Sequence, residues 1–363
     1  MKQYINWLNR QSIEYSRTYE ELFRIILSIG HNLKQKKYIG FDVKVGNPDR
    51  LLSTVLSLSL VGWLNLFNID KTEKYLQNAN ECIELLLEHQ LDDGSWLFPY
   101  AFRNNPPHFP YSCENFMTVR PLMFALDFPI NHKAEALVAI EKNLRFLEDD
   151  IGYHNGIFWY SSADHIEVPN ISAMATNIFA QASLIFNDQD YLNMSKNFAE
   201  YCIKNQTNDG AYPYFSNQNM VYIPYHALEI WELNEANELL NLVDLEASIK
   251  KAISYLHNYL DNNGFRSRIP GRWIKHAILL KTYIWSAKAS LLAGDFDKGL
   301  VYYTKGLQKF LSPENKYFYL IQEYDFQFFS VQIPKINTQF IRYLASLFEI
   351  GTLVLRKWNA RNA

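Results

Sequence analysis

The chain has 363 residues, 48% of them hydrophobic and 20% charged, with a net charge of −3. That is ample material for a large core, and the slight acidity excludes a surface built to wrap nucleic acid, which needs a basic patch. The three cysteines, Cys82, Cys113 and Cys202, form neither a C-x-x-C pair nor a disulfide framework, so a reducing, cytoplasmic setting is expected.

Hydrophobic periodicity predicts twelve helices in two alternating classes. In chain order, a helix with a charged face at about 13–35 precedes an apolar one at 48–67. The same pairing recurs at 71–90 with 115–127, 133–148 with 170–186, and 190–206 with 224–236. It continues at 246–261 with 274–293 and ends at 297–311 with 336–356. Within the second pair, Tyr75, Ala79, Cys82, Ile83, Leu86 and Leu87 repeat at helical spacing, with polar residues between them. The charge-free run from Leu51 to Leu64 is too short to span a bilayer and reads as a buried helix. No apolar run follows Met1, so no signal peptide or membrane span is expected. Strand signals are nearly absent, since no Asn-Gly or Asp-Gly is flanked by alternating apolar residues.

Gly40, Gly94, Gly152, Gly210 and Gly264 lie 54, 58, 58 and 54 residues apart, each closing an outer-type helix and followed by an aromatic. One further step reaches Asn315, which tolerates the same left-handed backbone. Six units of about 55 residues, half-exposed and buried helices alternating, predict an all-α (α/α)6 barrel occupying 1–363 as one domain. The loops leading into the buried helices then surround one mouth of a central funnel, where helix N-termini aim free N–H groups. The second, third and sixth of these, about 95–114, 153–169 and 317–335, are the longest.

Gln90, Asp93, Gly94 and Trp96, and again Gln206, Asp209, Gly210 and Tyr212, share the pattern Q-x-x-D-G-x-aromatic. This resembles the turn of terpenoid-cyclase and prenyltransferase toroids and of carbohydrate-active toroids, where it is largely structural. The stretch from Val168 to Ala175, then Gln206 to Gly210, then Tyr222, Tyr225, His226 and Glu229 is similar in order to toroid proteins encoded with bacterial surface-polysaccharide genes. It also resembles, more remotely, the helical domain of glucuronyl C5-epimerases. That resemblance spans about 150–260 and implies chemistry on an acidic sugar. Against the terpenoid reading, Glu148-Asp149-Asp150 lacks the D-x-D-D spacing of class II cyclases. The zinc ligands of prenyltransferases and lanthionine cyclases are missing as well. No metal and no cofactor is expected.

His226 opens a buried helix, with Glu229 one turn on to orient it and Tyr222 and Tyr225 beside it, a candidate acid/base group. Arg268, Arg272, Lys275 and His276 crowd the fifth loop and suit an anionic ligand. Glu114 starts the second apolar helix, and Asp325 lies in the sixth loop. Either carboxylate could serve as a catalytic acid. Tyr111, Trp159, His165 and Asn170 supply polar and stacking groups in the second and third loops. The function expected is metal-free lyase, epimerase or hydrolase chemistry on a uronate-type sugar or oligosaccharide in the funnel, within surface-polysaccharide metabolism. The alternatives are a terpenoid or prenyl-diphosphate toroid and a non-catalytic binding or scaffold protein. Oligomeric state is left open.

Overall fold

A computed structural model describes residues 15–34, 52–102, 104–215, 220–267, 276–310, 321–325, 330–334 and 338–362. It contains the outer helices α1 (Tyr15–Lys34), α3 (Glu73–Glu88), α5 (Lys133–Phe146), α7 (Gln189–Asn205), α9 (Val243–Asn263) and α11 (Phe296–Phe310). Between them run the inner helices α2 (Ser53–Asp70), α4 (Ser112–Ala125), α6 (Pro169–Phe186), α8 (Ile223–Leu240), α10 (Leu280–Leu292) and α12 (Thr338–Asn362). Each inner helix packs on the next, and α12 packs back on α2 to close the ring. This is the expected (α/α)6 barrel.

Inner and outer helices differ because they bury different shares of their surface. From Ser53 to Phe67, α2 is buried at every position but one, whereas α3 buries the stripe Tyr75, Leu76, Ala79, Ile83 and Leu86. Contacts between matching depths, such as Asn177 with Glu232 and Asn65 with Thr352, show that the inner helices run parallel.

The repeat turn is held by the same atoms twice. Gln90 Nε2 donates to the Gly94 carbonyl at 2.9 Å and to Ala139 of the next outer helix at 2.8 Å. Gln206 Nε2 repeats this on Gly210 (3.0 Å) and Ser248 (2.9 Å). The glycines at these turns have φ of +90° and +95°, and a Cβ on Gly94 would lie 2.4 Å from the Lys142 carbonyl oxygen. Only glycine fits such a backbone approach. Gly40 and Asn315 lie outside the described residues.

Strand is as scarce as expected, and what there is lies in the loops between helices. A hairpin joins β1 (Tyr153–His154) to β2 (Ile157–Phe158). The fifth and sixth loops together form an antiparallel sheet of β3 (Arg266–Ser267), β4 (His276–Ile278), β5 (Ile321–Asp325) and β6 (Ser330–Pro334), in that order. The β4–β5 pairing joins segments far apart in the chain, which no local pattern announces. It also moves the start of α10 to Leu280 rather than about 274, because β4 occupies the residues before it.

Candidate functional site

A cavity of about 210 Å³ sits among the first two turns of five inner helices. At roughly 30 Å³ per water, that is space for about seven waters. Its centre is an ion pair that draws three inner helices together. Glu114, on α4 and 1% exposed, accepts from Arg342 of α12 at 2.6 Å. Its other oxygen accepts from the Ser53 hydroxyl (3.1 Å) and the Thr54 N–H (3.3 Å) at the start of α2. Burial alone lowers the Arg342 pKa. The Glu114 carboxylate, followed by Cys113, Tyr343 and Tyr225, more than reverses this, so its guanidinium stays charged.

Aromatic rings form much of the wall. Tyr225 stacks on Tyr214 at 5.2 Å and meets Tyr222 edge-on at 5.0 Å. The Lys281 ammonium lies 4.5 Å from the Tyr222 ring centre and 4.7 Å from that of Tyr225, close enough for cation–π attraction. Burial pushes the Tyr225 phenol well up, with Tyr214 adding to the shift and Arg342 opposing it, so the phenol keeps its proton. Across the cavity, Tyr111 packs on Tyr160 at 5.5 Å and donates its hydroxyl to the Phe102 carbonyl at 2.9 Å. Asn170, 6% exposed in the first turn of α6, lines the cavity with an Oδ1 that has no hydrogen-bond partner among the described residues. A buried acceptor left open in a polar cavity suits a donor from a ligand or water.

The structure thus brings Glu114, Tyr111, Asn170 and Tyr225 of the expected residues to one cavity, with Tyr222 behind Tyr225. Arg342, Lys281, Trp285 and Tyr214 join them unannounced. Arg342 carries one signal, being a lone cation among Phe340, Ile341, Tyr343 and Leu344. Trp159 and His165 stack on each other at 4.9 Å in the third loop, outside the cavity wall. His276 and Asp325 are backbone register partners on β4 and β5. Arg268, Arg272 and Lys275 lie outside the described residues.

His226 and Glu229 require correction. His226 is 1% exposed, its Nδ1 accepts the Tyr212 N–H at 3.0 Å, and its Nε2 faces the Ala252 carbonyl at 3.1 Å. Both ring nitrogens are committed to backbone, leaving no lone pair for catalysis. The position is a repeat feature, because Asn115 and Ser172, also fourth in their inner helices, accept the N–H of Trp96 and Phe158. Glu229 does not orient His226; both its oxygens are buried without a partner among the described residues.

Among the described residues, no group of three His, Cys, Asp or Glu is arranged to hold a metal ion, and no helix is long and apolar enough to cross a membrane. Six inner helices closed into a ring inside six outer ones, with a cavity at one mouth, define an (α/α)6 toroid. No protein-family model and no curated protein matches the sequence. Among solved structures the chain is similar to cellobiose 2-epimerase from Bacillus thermoamylovorans, at 11% identity and TM-score 0.59, over 82% of this chain and 87% of that one. It is similar to a sugar epimerase from a ruminal bacterium at 10% identity and TM-score 0.61, again over 82% and 87%. A family 105 glycoside hydrolase from C. acetobutylicum matches at 12% identity and TM-score 0.59, over 90% of this chain and 99% of that one. Likeness at this identity establishes the fold.

Proposed function

We propose that the mouth cavity binds an acidic, uronate-type sugar and acts on it by general acid/base chemistry, moving a proton at a ring carbon as a lyase or epimerase does or onto a glycosidic oxygen as a hydrolase does. The observation that carries this reading is the convergence of stacking rings, the open Asn170 acceptor and the Arg342 and Lys281 cations in one cavity. Aromatic faces suit the apolar side of a sugar ring, while Asn170 takes a hydroxyl and the cations take a carboxylate or a developing enolate. Glu114 holds three donors and serves to position Arg342. Tyr225, kept protonated by burial, is the proton donor. That the solved toroids of similar fold include two sugar epimerases and a glycoside hydrolase supports a sugar ligand. The same proposal treats 1–363 as a single domain working in the cytoplasm, in surface-polysaccharide metabolism.

A wall holding Glu114, Arg342 and Lys281 is costly to desolvate against a hydrocarbon, which counts against an isoprenoid ligand. The test is a thermal-shift screen of uronates, nucleotide sugars and prenyl diphosphates on the intact chain, with Arg342→Gln and Tyr225→Phe alongside. Uronates should stabilise the chain, Arg342→Gln should abolish that shift, and Tyr225→Phe should keep binding while removing turnover. A shift from prenyl diphosphates alone would sink the sugar reading.

A further inference from the structure

The funnel has a second end. The lower halves of the inner helices enclose a separate cavity of about 100 Å³, lined by Asn65, Arg120, Glu235, Lys288 and Arg356 along with apolar side chains such as Leu353. At roughly 30 Å³ per water it holds about three waters, or one molecule of about five heavy atoms. Arg120 and Lys288 are already matched there. Arg120 bridges to Glu235 at 3.0 Å and Lys288 to Glu349 at 2.8 Å.

Two other groups are not matched. Asn65 is 2% exposed and donates its amide to the Thr352 hydroxyl at 3.2 Å, yet its Oδ1 is buried with no partner among the described residues. Arg356 is half-buried and makes no hydrogen bond or ion pair among the described residues; its charge is desolvated, with Glu235 and Glu238 opposing that effect only through space. An open acceptor and an open guanidinium on one small cavity specify opposite ends of a ligand. Glu235 and Glu349 on the same wall disfavour a multiply charged anion.

We propose that this lower cavity is a second ligand site, for a small monocarboxylate carrying a hydroxyl or ammonium donor, with the carboxylate on Arg356 and the donor on Asn65 Oδ1. The site is independent of the sugar reading of the mouth. Calorimetric titration of the full chain with glycolate, glycine and acetate tests it. Glycolate or glycine should bind more tightly than acetate, which lacks the donor. Arg356→Gln should weaken all binding by about tenfold or more, the scale of a charged hydrogen bond. Asn65→Ala should erase the preference over acetate, its folding being checked first by its unfolding transition. Should that variant not fold, Arg356→Gln at its half-buried position carries the test. No binding of any of the three to the unaltered chain, or binding indifferent to Arg356→Gln, would overturn the proposal. So would glycolate binding that is lost in Tyr225→Phe and kept in Arg356→Gln, since that places the ligand at the mouth.

Discussion

At the scale of single residues, His226 and Glu229 of α8 are buried titratable groups with opposite consequences. Burial pushes the His226 pKa down to about 4, against the Ala252 hydrogen bond and Asp209. The native ring stays neutral while an unfolded histidine takes up a proton near 6.5, so stability is full above that pH and is lost on acidification toward about 4. At 1.36 kcal/mol per pH unit the loss is on the order of 3 kcal/mol. Urea unfolding at pH 7 and pH 5 should show the decline, and His226→Asn, which keeps an acceptor for Tyr212, should flatten it. Glu229 runs the other way. Burial without a partner pushes its pKa well up, so the native group holds a proton that the unfolded chain releases above about 4.5, and stability falls as pH rises. Replacing it by methionine should therefore stabilise the chain at pH 7 by about 1–3 kcal/mol, with the gain shrinking toward pH 4. An unchanged or lowered unfolding midpoint at pH 7 would show that an internal water or unseen partner satisfies the carboxyl.

At the scale of elements, the helices were legible because each must alternate faces at helical period, and the glycine ladder marked where the outer helices end. Gln90 and Gln206 tie each turn to the next outer helix through their contacts on Ala139 and Ser248. The site was half legible. Glu114, Asn170 and Tyr225 belong to first turns of inner helices, which the ladder located. Arg342 and Lys281 occupy equivalent turns but carry no motif, and their relevance depends on ring closure bringing α10 and α12 beside α8. The His226 expectation failed because its spacing to Glu229 is compatible with either helix face, and only packing decides that it turns toward α9 and the Tyr212 turn. The ladder also makes a prediction. In Gly94→Ala, a methyl group would press on the Lys142 carbonyl at a backbone angle that alanine resists. The expected loss is roughly 2–4 kcal/mol, read as a lower chemical-denaturation midpoint. A loss below about 1 kcal/mol, the low end of what a strained non-glycine backbone costs, would mean that the turn relaxes without strain.

At the scale of the whole molecule, the two cavities are separated by a layer of charges to which most of the inner helices contribute. Arg120 of α4 reaches Glu232 (3.7 Å) and Glu235 (3.0 Å) of α8 and Glu349 (3.6 Å) of α12. Lys288 of α10 meets Glu349 at 2.8 Å and lies 4.7 Å from the Trp231 ring centre, while Asn177 of α6 donates to Glu232 and Glu235. The layer does not need to add net stability, because desolvating buried charges offsets most of their attraction. What it does supply is mutual dependence among helices that are far apart in sequence, since removing one member strands another in a dry interior. Lys288→Met would leave Glu349 facing only Arg120, a group already shared among three carboxylates. The expected loss is about 3–5 kcal/mol, the usual cost of breaking a buried pair from one side. The double variant Lys288→Met with Glu349→Met removes both charges and should recover most of that loss, whereas additive losses would show that each side chain matters for its own packing and that the pair does not couple α10 to α12. Denaturant unfolding of the two single variants and the double variant completes the cycle.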